Sequence, residues 1–434
     1  MSSIISFCRT GWLAGLVALF ALGSAFGADS LPVATNSPTA FNVETATREY
    51  LNQLTPAQKT RSDSYFEGGY WLQLWGYLWG TAISLLLLQA RWSARIRDAA
   101  VRWTRRPWLQ TALYALFYLL LTTLLSFPLL VYSDFFREHQ YGMATQGFGG
   151  WLGDQLTSLF VGIVVFCPLV VILMAIVRRL KNSWHLWGAA VAIAFAILFT
   201  VFGPVFIAPL FNKYTPLTDQ KILTPILRLA RANGIATDKI YEMDASRQTT
   251  KISANVSGFL GTMRITLNDN LVNRCSLPEI EAIMAHEMGH YVMNHVYKFV
   301  FFLGVVIVIG FALLRWAAGR LIARVGPRWG ISDLGDVAVL PLAALLFSTY
   351  FFLLTPILNT VVRTQEMEAD RFGLNAASQP DGFAQAALKL SEYRKMEPTP
   401  LEEWLFYDHP SGATRIRTAM QWKAENLSPT DLKP

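Results

Sequence analysis

IEAIMAHEMGHYVMNHVY, residues 280–297, is followed almost at once by FVFFLGVVIVIGFALL, residues 299–314. Within the first run His286, Glu287 and His290 spell HExxH. On a helix, positions i and i+4 share a face, so the two imidazoles can grip one cation. Glu287, one residue after the first His, can reach a water on that cation. Ser276 and Glu279 have the spacing of a capping box, so a helix is expected to begin near Ser276. No stop signal follows Lys298, and the sequence predicts one helix that carries the metal motif and then enters the membrane.

The rest of the chain agrees with a membrane location. Its 434 residues are 53% hydrophobic and 15% charged, against about 25% charged residues in soluble domains. Apolar runs at about 70–90, 109–133, 155–177, 185–211, 299–317 and 338–362 each meet the roughly 20 residues needed to cross a bilayer. Residues 1–27 combine Arg9, a short apolar core and Ala25-Phe26-Gly27. They read as a signal peptide cut near Gly27, with an uncleaved first transmembrane helix as the alternative. The expected fold is therefore a mainly α polytopic membrane protein of six to seven transmembrane helices, and its extramembrane α/β part, by the HExxH motif it carries, is expected to be a zincin-like metallopeptidase domain. Its divisions are 1–27, a polar extramembrane segment 28–68, transmembrane helices 69–211, a zinc peptidase domain 212–298, a transmembrane hairpin 299–362 and the second part of the peptidase domain 363–434.

The net charge of +7 does not point to nucleic acid, because the arginines cluster in short segments flanking apolar spans. Arg91, Arg95, Arg97, Arg102, Arg105 and Arg106 lie in one, Arg178, Arg179 and Lys181 in a second, and Arg320, Arg324 and Arg328 in a third. By the positive-inside rule these three are cytoplasmic. Residues 212–298 and 363–434 then fall on the opposite side, which for a bacterial inner membrane is the periplasm. Cys8, Cys167 and Cys275 form neither a CxxC pair nor a disulfide framework.

Within 212–298, Ile222, Ile226, Leu229 and Ala230 predict a helix ending at Gly234, and KIYEM, KISANVSGF and MRITLN read as strands, with Gly258 and Gly261 as turn residues. A catalytic zinc takes three protein ligands and keeps an open position. After two spans the chain returns to the same side, at Arg363-Thr364-Gln365-Glu366-Met367-Glu368-Ala369-Asp370. Glu366 and Asp370 share one helical face and Glu368 points elsewhere. Spacing alone also allows this to be a charged helix end emerging from the bilayer.

HExxH, two spans and then Glu366-Met367-Glu368-Ala369-Asp370 form a signature that resembles the CAAX prenyl protease 1 family, the type I CAAX protease and HtpX-like integral-membrane zinc metallopeptidases. Ser253-Ala254 through Gly258, Arg264-Ile265 through Leu271, and His409-Pro410 with Arg415-Ile416 extend the likeness over about residues 60–425. The resemblance implies one Zn2+ per subunit held by His286, His290 and Glu366, with Glu287 as general base. It also implies Asp370 beside the ligands, as a His-orienting group or proton donor, and His409 near the oxyanion. His295 is read as structural. The strand at Ser253–Gly258 is suited to pairing with an extended substrate.

The expected activity is a membrane-embedded zinc metalloendopeptidase, acting on peptides or membrane-associated proteins, lipidated ones included, at the lipid bilayer. The alternative, from another class, is a transporter- or channel-like protein with a structural or vestigial metal site. Glu287 favours the enzyme, because a structural site needs no base. Eukaryotic relatives keep the zinc domain in the cytosol, whereas the loop charges here place it outside, so the prenylated substrate does not transfer with the reaction.

Overall fold

A computed structural model describes residues 41–258 and 263–428. The expected signal segment 1–27 lies outside them. Apart from a single turn at Arg137–Gln140, the described α-helices are α1 (Val43–Leu51), α2 (Pro56–Gln89), α3 (Trp92–Trp103), α4 (Pro107–Val131), α5 (Phe148–Arg179), α6 (Trp184–Phe202), α7 (Gln220–Ala232), α8 (Asp269–Arg274), α9 (Leu277–Val292), α10 (His295–Trp329), α11 (Leu340–Ala377), α12 (Pro380–Leu390), α13 (Pro400–Phe406) and α14 (Gly412–Asn426). Strands are β1 (Tyr214–Pro216), β2 (Ile240–Met243), β3 (Ala254–Ser257) and β4 (Arg264–Asn268).

Among the described residues, six helices are long and apolar enough to cross a membrane: α2, α4, α5, α6, α10 and α11. They carry large apolar side chains on the outside, such as Leu124, Phe160 and Phe301, as expected where lipid replaces water as the solvent. Helical hydrogen bonding satisfies most of their polar backbone, the condition for spanning hydrocarbon, with single bonds lost at Pro128, Pro168 and Pro356. The boundaries differ from the sequence reading. Residues 56–68, expected in a polar segment, form the first turns of α2, started by a capping box at Thr55 and Gln58. The basic stretch 91–108 contains α3 and is not a plain loop.

The three basic segments meet at one end of the bundle. Arg91 donates to the Pro327 and Arg328 carbonyls, Arg97 to the Gly330 carbonyl and to Asp336, and Arg178 to the Gly335 carbonyl. The peptidase domain lies at the other end. The two are separated by the 35 residues of α10, roughly 50 Å of helix.

That domain is built on a four-stranded sheet of order β1-β2-β4-β3, with β2 and β4 parallel and the other pairs antiparallel. α7 buries Ile222, Ile226 and Ala230, and stops at Gly234, whose φ of 72° suits a residue without a β-carbon. Those side chains, Ile265 and Leu267 of β4, and Ile280, Met284 and Met288 of α9 make one core. β3 ends the strand order, so one of its edges has no strand partner among the described residues.

One expectation is overturned. The motif helix does not run into the membrane. α9 stops at Val292, Asn294 turns into the left-handed region (φ 58°), and α10 begins as a new helix at His295. Asn is one of the few residues with a side chain that visits this region readily. By contrast, α11 does pass unbroken from its apolar run through Glu366 to Ala377.

Candidate active site

α9 and α11 cross nearly in contact, and the site lies at the crossing. A β-carbon placed on Gly373 would stand 2.9 Å from the His286 backbone nitrogen. One on Gly289 would stand 3.3 Å from the Ala369 α-carbon and 3.0 Å from the Phe372 ring. Small residues on both helices therefore bring HExxH and ExxAD together. The N-terminus of α9 is fixed by Ser276 and Glu279, both ends of whose capping box are formed. Lys389 of α12 donates to the Glu279 carboxylate at 2.7 Å and to the Arg274 carbonyl at 2.6 Å.

Three side chains converge. His286 Nε2 and His290 Nε2 are 3.2 Å apart; His286 Nε2 is 3.2 Å from Glu366 Oε2, and His290 Nε2 is 3.4 Å from Glu366 Oε1. Bonds of about 2.0–2.1 Å to a tetrahedral ion put ligand atoms roughly 3.3 Å apart. The separations are close to the edge length of a coordination tetrahedron, with each Glu366 carboxylate oxygen facing one imidazole, and this trio can hold a metal ion. A buried carboxylate facing two imidazole nitrogens also supplies the negative charge and lone pairs that a dication requires.

Around this trio each group has a holder. His286 Nδ1 lies 2.7 Å from Asp370 Oδ1, and Arg415 grips Asp370 from behind through Nε (2.9 Å) and Nη2 (2.5 Å). All three residues are buried. Burial works against a charged imidazole, but hydrogen bonds to Asp370 and Glu366 outweigh it and push His286 up to about 9 when no cation is bound. His409 Nε2 approaches Glu366 Oε2 to 3.2 Å, while its Nδ1 lies 2.8 Å from Asp408. The loop that presents His409 is held by Arg363, which donates to the Glu403 and Tyr407 carbonyls. Glu287 is half-buried beside His286.

The structure thus gathers all six residues singled out in the sequence, His286, Glu287, His290, Glu366, Asp370 and His409. Two partners were missed. Arg415 was quoted only as part of a motif, and nothing in sequence marks a lone arginine as the partner of an aspartate 45 positions earlier. His295, read as structural, has its Nδ1 2.9 Å from Nδ1 of His290. On an unbroken helix five residues advance by about 140°, which would turn His295 away from His290. The break at Asn294 turns it back.

A model of peptidase family M48 matches residues 216–423, and a model of the CAAX prenyl protease N-terminal region, described as five membrane helices, matches residues 42–213. The chain is 31% identical over 313 residues to an uncharacterized metalloprotease, YhfN, of Bacillus subtilis, covering 72% of this chain and 73% of that protein. It is 28% identical to CAAX prenyl protease 1 of Saccharomyces cerevisiae, over 70% of each. The crystal structure of S. mikatae Ste24p superposes with a TM-score of 0.74 at 24% identity, covering 87% of this chain and 95% of that one; this likeness speaks to the fold.

Proposed function

The chain belongs to peptidase family M48 and is a membrane-embedded metalloprotease; on that premise we propose that its metal is zinc, held by His286, His290 and Glu366, with Glu287 as the general base. The observation that carries this reading is the convergence of the His286 and His290 ring nitrogens and the Glu366 carboxylate at tetrahedral-edge distances, with Glu287 next to His286 in the chain. Two nitrogens and one carboxylate oxygen are a common donor set for catalytic zinc, with a position left open.

Bound there, zinc supplies the Lewis acidity that polarises a scissile carbonyl and acidifies a water. Glu287 takes the proton of the attacking water on its carboxylate and passes it to the leaving amine nitrogen. His409, held by Asp408, donates toward the oxygen on which negative charge develops. Asp370 accepts from His286 Nδ1, which fixes that ring's tautomer and leaves Nε2 free to ligate. The edge of β3 that has no strand partner among the described residues takes the substrate as an added strand, which selects extended segments over folded ones. Substrates are peptides or membrane-associated proteins presented at the bilayer surface, lipidated ones among them. Nucleic acid is not among the expected partners, because the basic residues concentrate at the ends of the apolar helices, where Arg91, Arg97 and Arg178 donate to carbonyls within 327–335. The clustering of those arginines at the end remote from the peptidase domain supports an orientation with the basic end in the cytoplasm and the site in the periplasm.

The test is cleavage of a membrane-tethered unfolded reporter by the purified full chain, with and without chelator, beside Glu287→Gln. Chelation and Glu287→Gln should each abolish cleavage, and Glu287→Gln should still bind one zinc per chain. Cleavage that survives both treatments would overturn the reading.

A further inference from the structure

Behind His290 runs a second chain of contacts for which the proposed reaction has no assigned use. His290 Nδ1 lies 2.9 Å from His295 Nδ1, His295 Nε2 lies 3.0 Å from Glu368 Oε2, and the same carboxylate oxygen accepts from Lys298 Nζ at 3.1 Å. His295 is fully buried, whereas Glu368 and Lys298 are partly exposed, at 39% and 51% of their side chains. The residues come from both sides of the Asn294 break and from α11, so the contact exists only because α9 and α10 are separate helices.

If His290 ligates through Nε2, the proton of its neutral ring sits on Nδ1 and must be donated. The atom that faces it is His295 Nδ1, which must then be an acceptor. His295 consequently carries its own proton on Nε2, where Glu368 accepts it. Lys298 balances the carboxylate. Every proton has one place, and the arrangement is consistent only with a neutral His295.

We propose that His295 and Glu368 are positioning residues of the metal site, a relay that sets the tautomer and ring orientation of His290 as Asp370 and Arg415 set those of His286. The two relays differ in exposure. The one behind His286 ends in a buried arginine, and the one behind His290 ends in a carboxylate and a lysine at the domain surface. Such outer partners are worth about tenfold to a hundredfold in metal affinity.

The inference rests on the ligand set proposed above, and the experiment separates the two. Zinc affinity of the full purified chain is measured by competition with a chromogenic chelator, for the native chain and for His290→Ala, Glu368→Ala, His295→Leu and His295→Asn. Thermal unfolding of each metal-free variant is measured alongside. Glu368→Ala should lower zinc affinity about tenfold or more without changing metal-free unfolding, since Glu368 is partly exposed. His295→Leu should lower it at least as far. His295→Asn, whose amide oxygen can stand in for Nδ1 as acceptor, should recover part of the loss. His290→Ala should lose the ion altogether. Full zinc binding by His290→Ala would overturn the ligand set. Loss in His290→Ala with native affinity in Glu368→Ala and in a folded His295→Leu would overturn the relay alone. If His295→Leu fails to fold, Glu368→Ala and the His295→Asn comparison decide.

Discussion

Gly373 of the second motif helix stands against His286 of the first so closely that a single β-carbon would meet the histidine's backbone nitrogen at 2.9 Å. The neighbour is backbone and cannot rotate away, so Gly373→Ala must push α9 and α11 apart. A loss of about 1–3 kcal/mol is expected from such overpacking. Because Glu366 and His286 sit on the two helices, zinc affinity should fall as well. Thermal unfolding and chelator competition on Gly373→Ala check both effects. Gly289→Ala meets the Ala369 α-carbon at a looser 3.3 Å and a Phe372 ring atom at 3.0 Å, and its effect should be smaller.

Arg415 and Asp370 form a buried pair whose components cannot reach water. Removing the guanidinium leaves His286, 2.7 Å away, as the cationic partner of the buried carboxylate, so the cost should reach at most the roughly 3–5 kcal/mol of a fully broken buried pair. Arg415→Met should therefore lower the unfolding midpoint. Asp370→Asn with Arg415→Met should be less unstable than Arg415→Met alone. A double-mutant cycle on metal-free protein measures the coupling, and additive losses would show that the pair acts independently.

Asn294 holds a positive φ of 58° at the break between α9 and α10. Asn294→Gly should be tolerated. Asn294→Val, β-branched and ill-suited to the left-handed region, should cost about 1–2 kcal/mol and loosen the contact between His290 and His295. Unfolding midpoints of the two variants, taken side by side, test this.

Zinc occupancy should fall with acidity. His286 is pushed up to about 9 in the metal-free site, so below that pH a proton must leave before the imidazole can ligate. Affinity should drop by up to about tenfold per pH unit for this one proton. The sign for the metal-free fold is opposite. A raised pKa contributes stability that is complete below the ordinary value of 6.5 and is lost as pH climbs through about 9. Chelator competition and metal-free unfolding, each at pH 6, 7 and 8, separate the two.

A periplasm-active reporter fused to the C-terminus should be active and a cytoplasm-active one silent. The opposite pattern would return the site to the cytoplasm and reopen prenylated proteins as substrates.

The sequence by itself determined the class of protein, because spanning lipid demands long apolar helices that cannot hide in composition. It also supplied the site's parts, since i, i+4 histidines and the two spans before Glu366 are local arithmetic. What it missed are relations set by packing and by a single backbone angle. The apolar run after Lys298 made α9 and α10 read as one helix. Only the structure shows the left-handed Asn294 that divides them and turns His295 back toward His290. Arg415 lies 45 residues beyond Asp370, and burial of the pair depends on α14 docking behind α11. The opening HExxH was legible because a helix repeats its own faces. The second layer around it was decided by the fold, because buried charges and ring nitrogens find partners wherever distant helices bring them within reach.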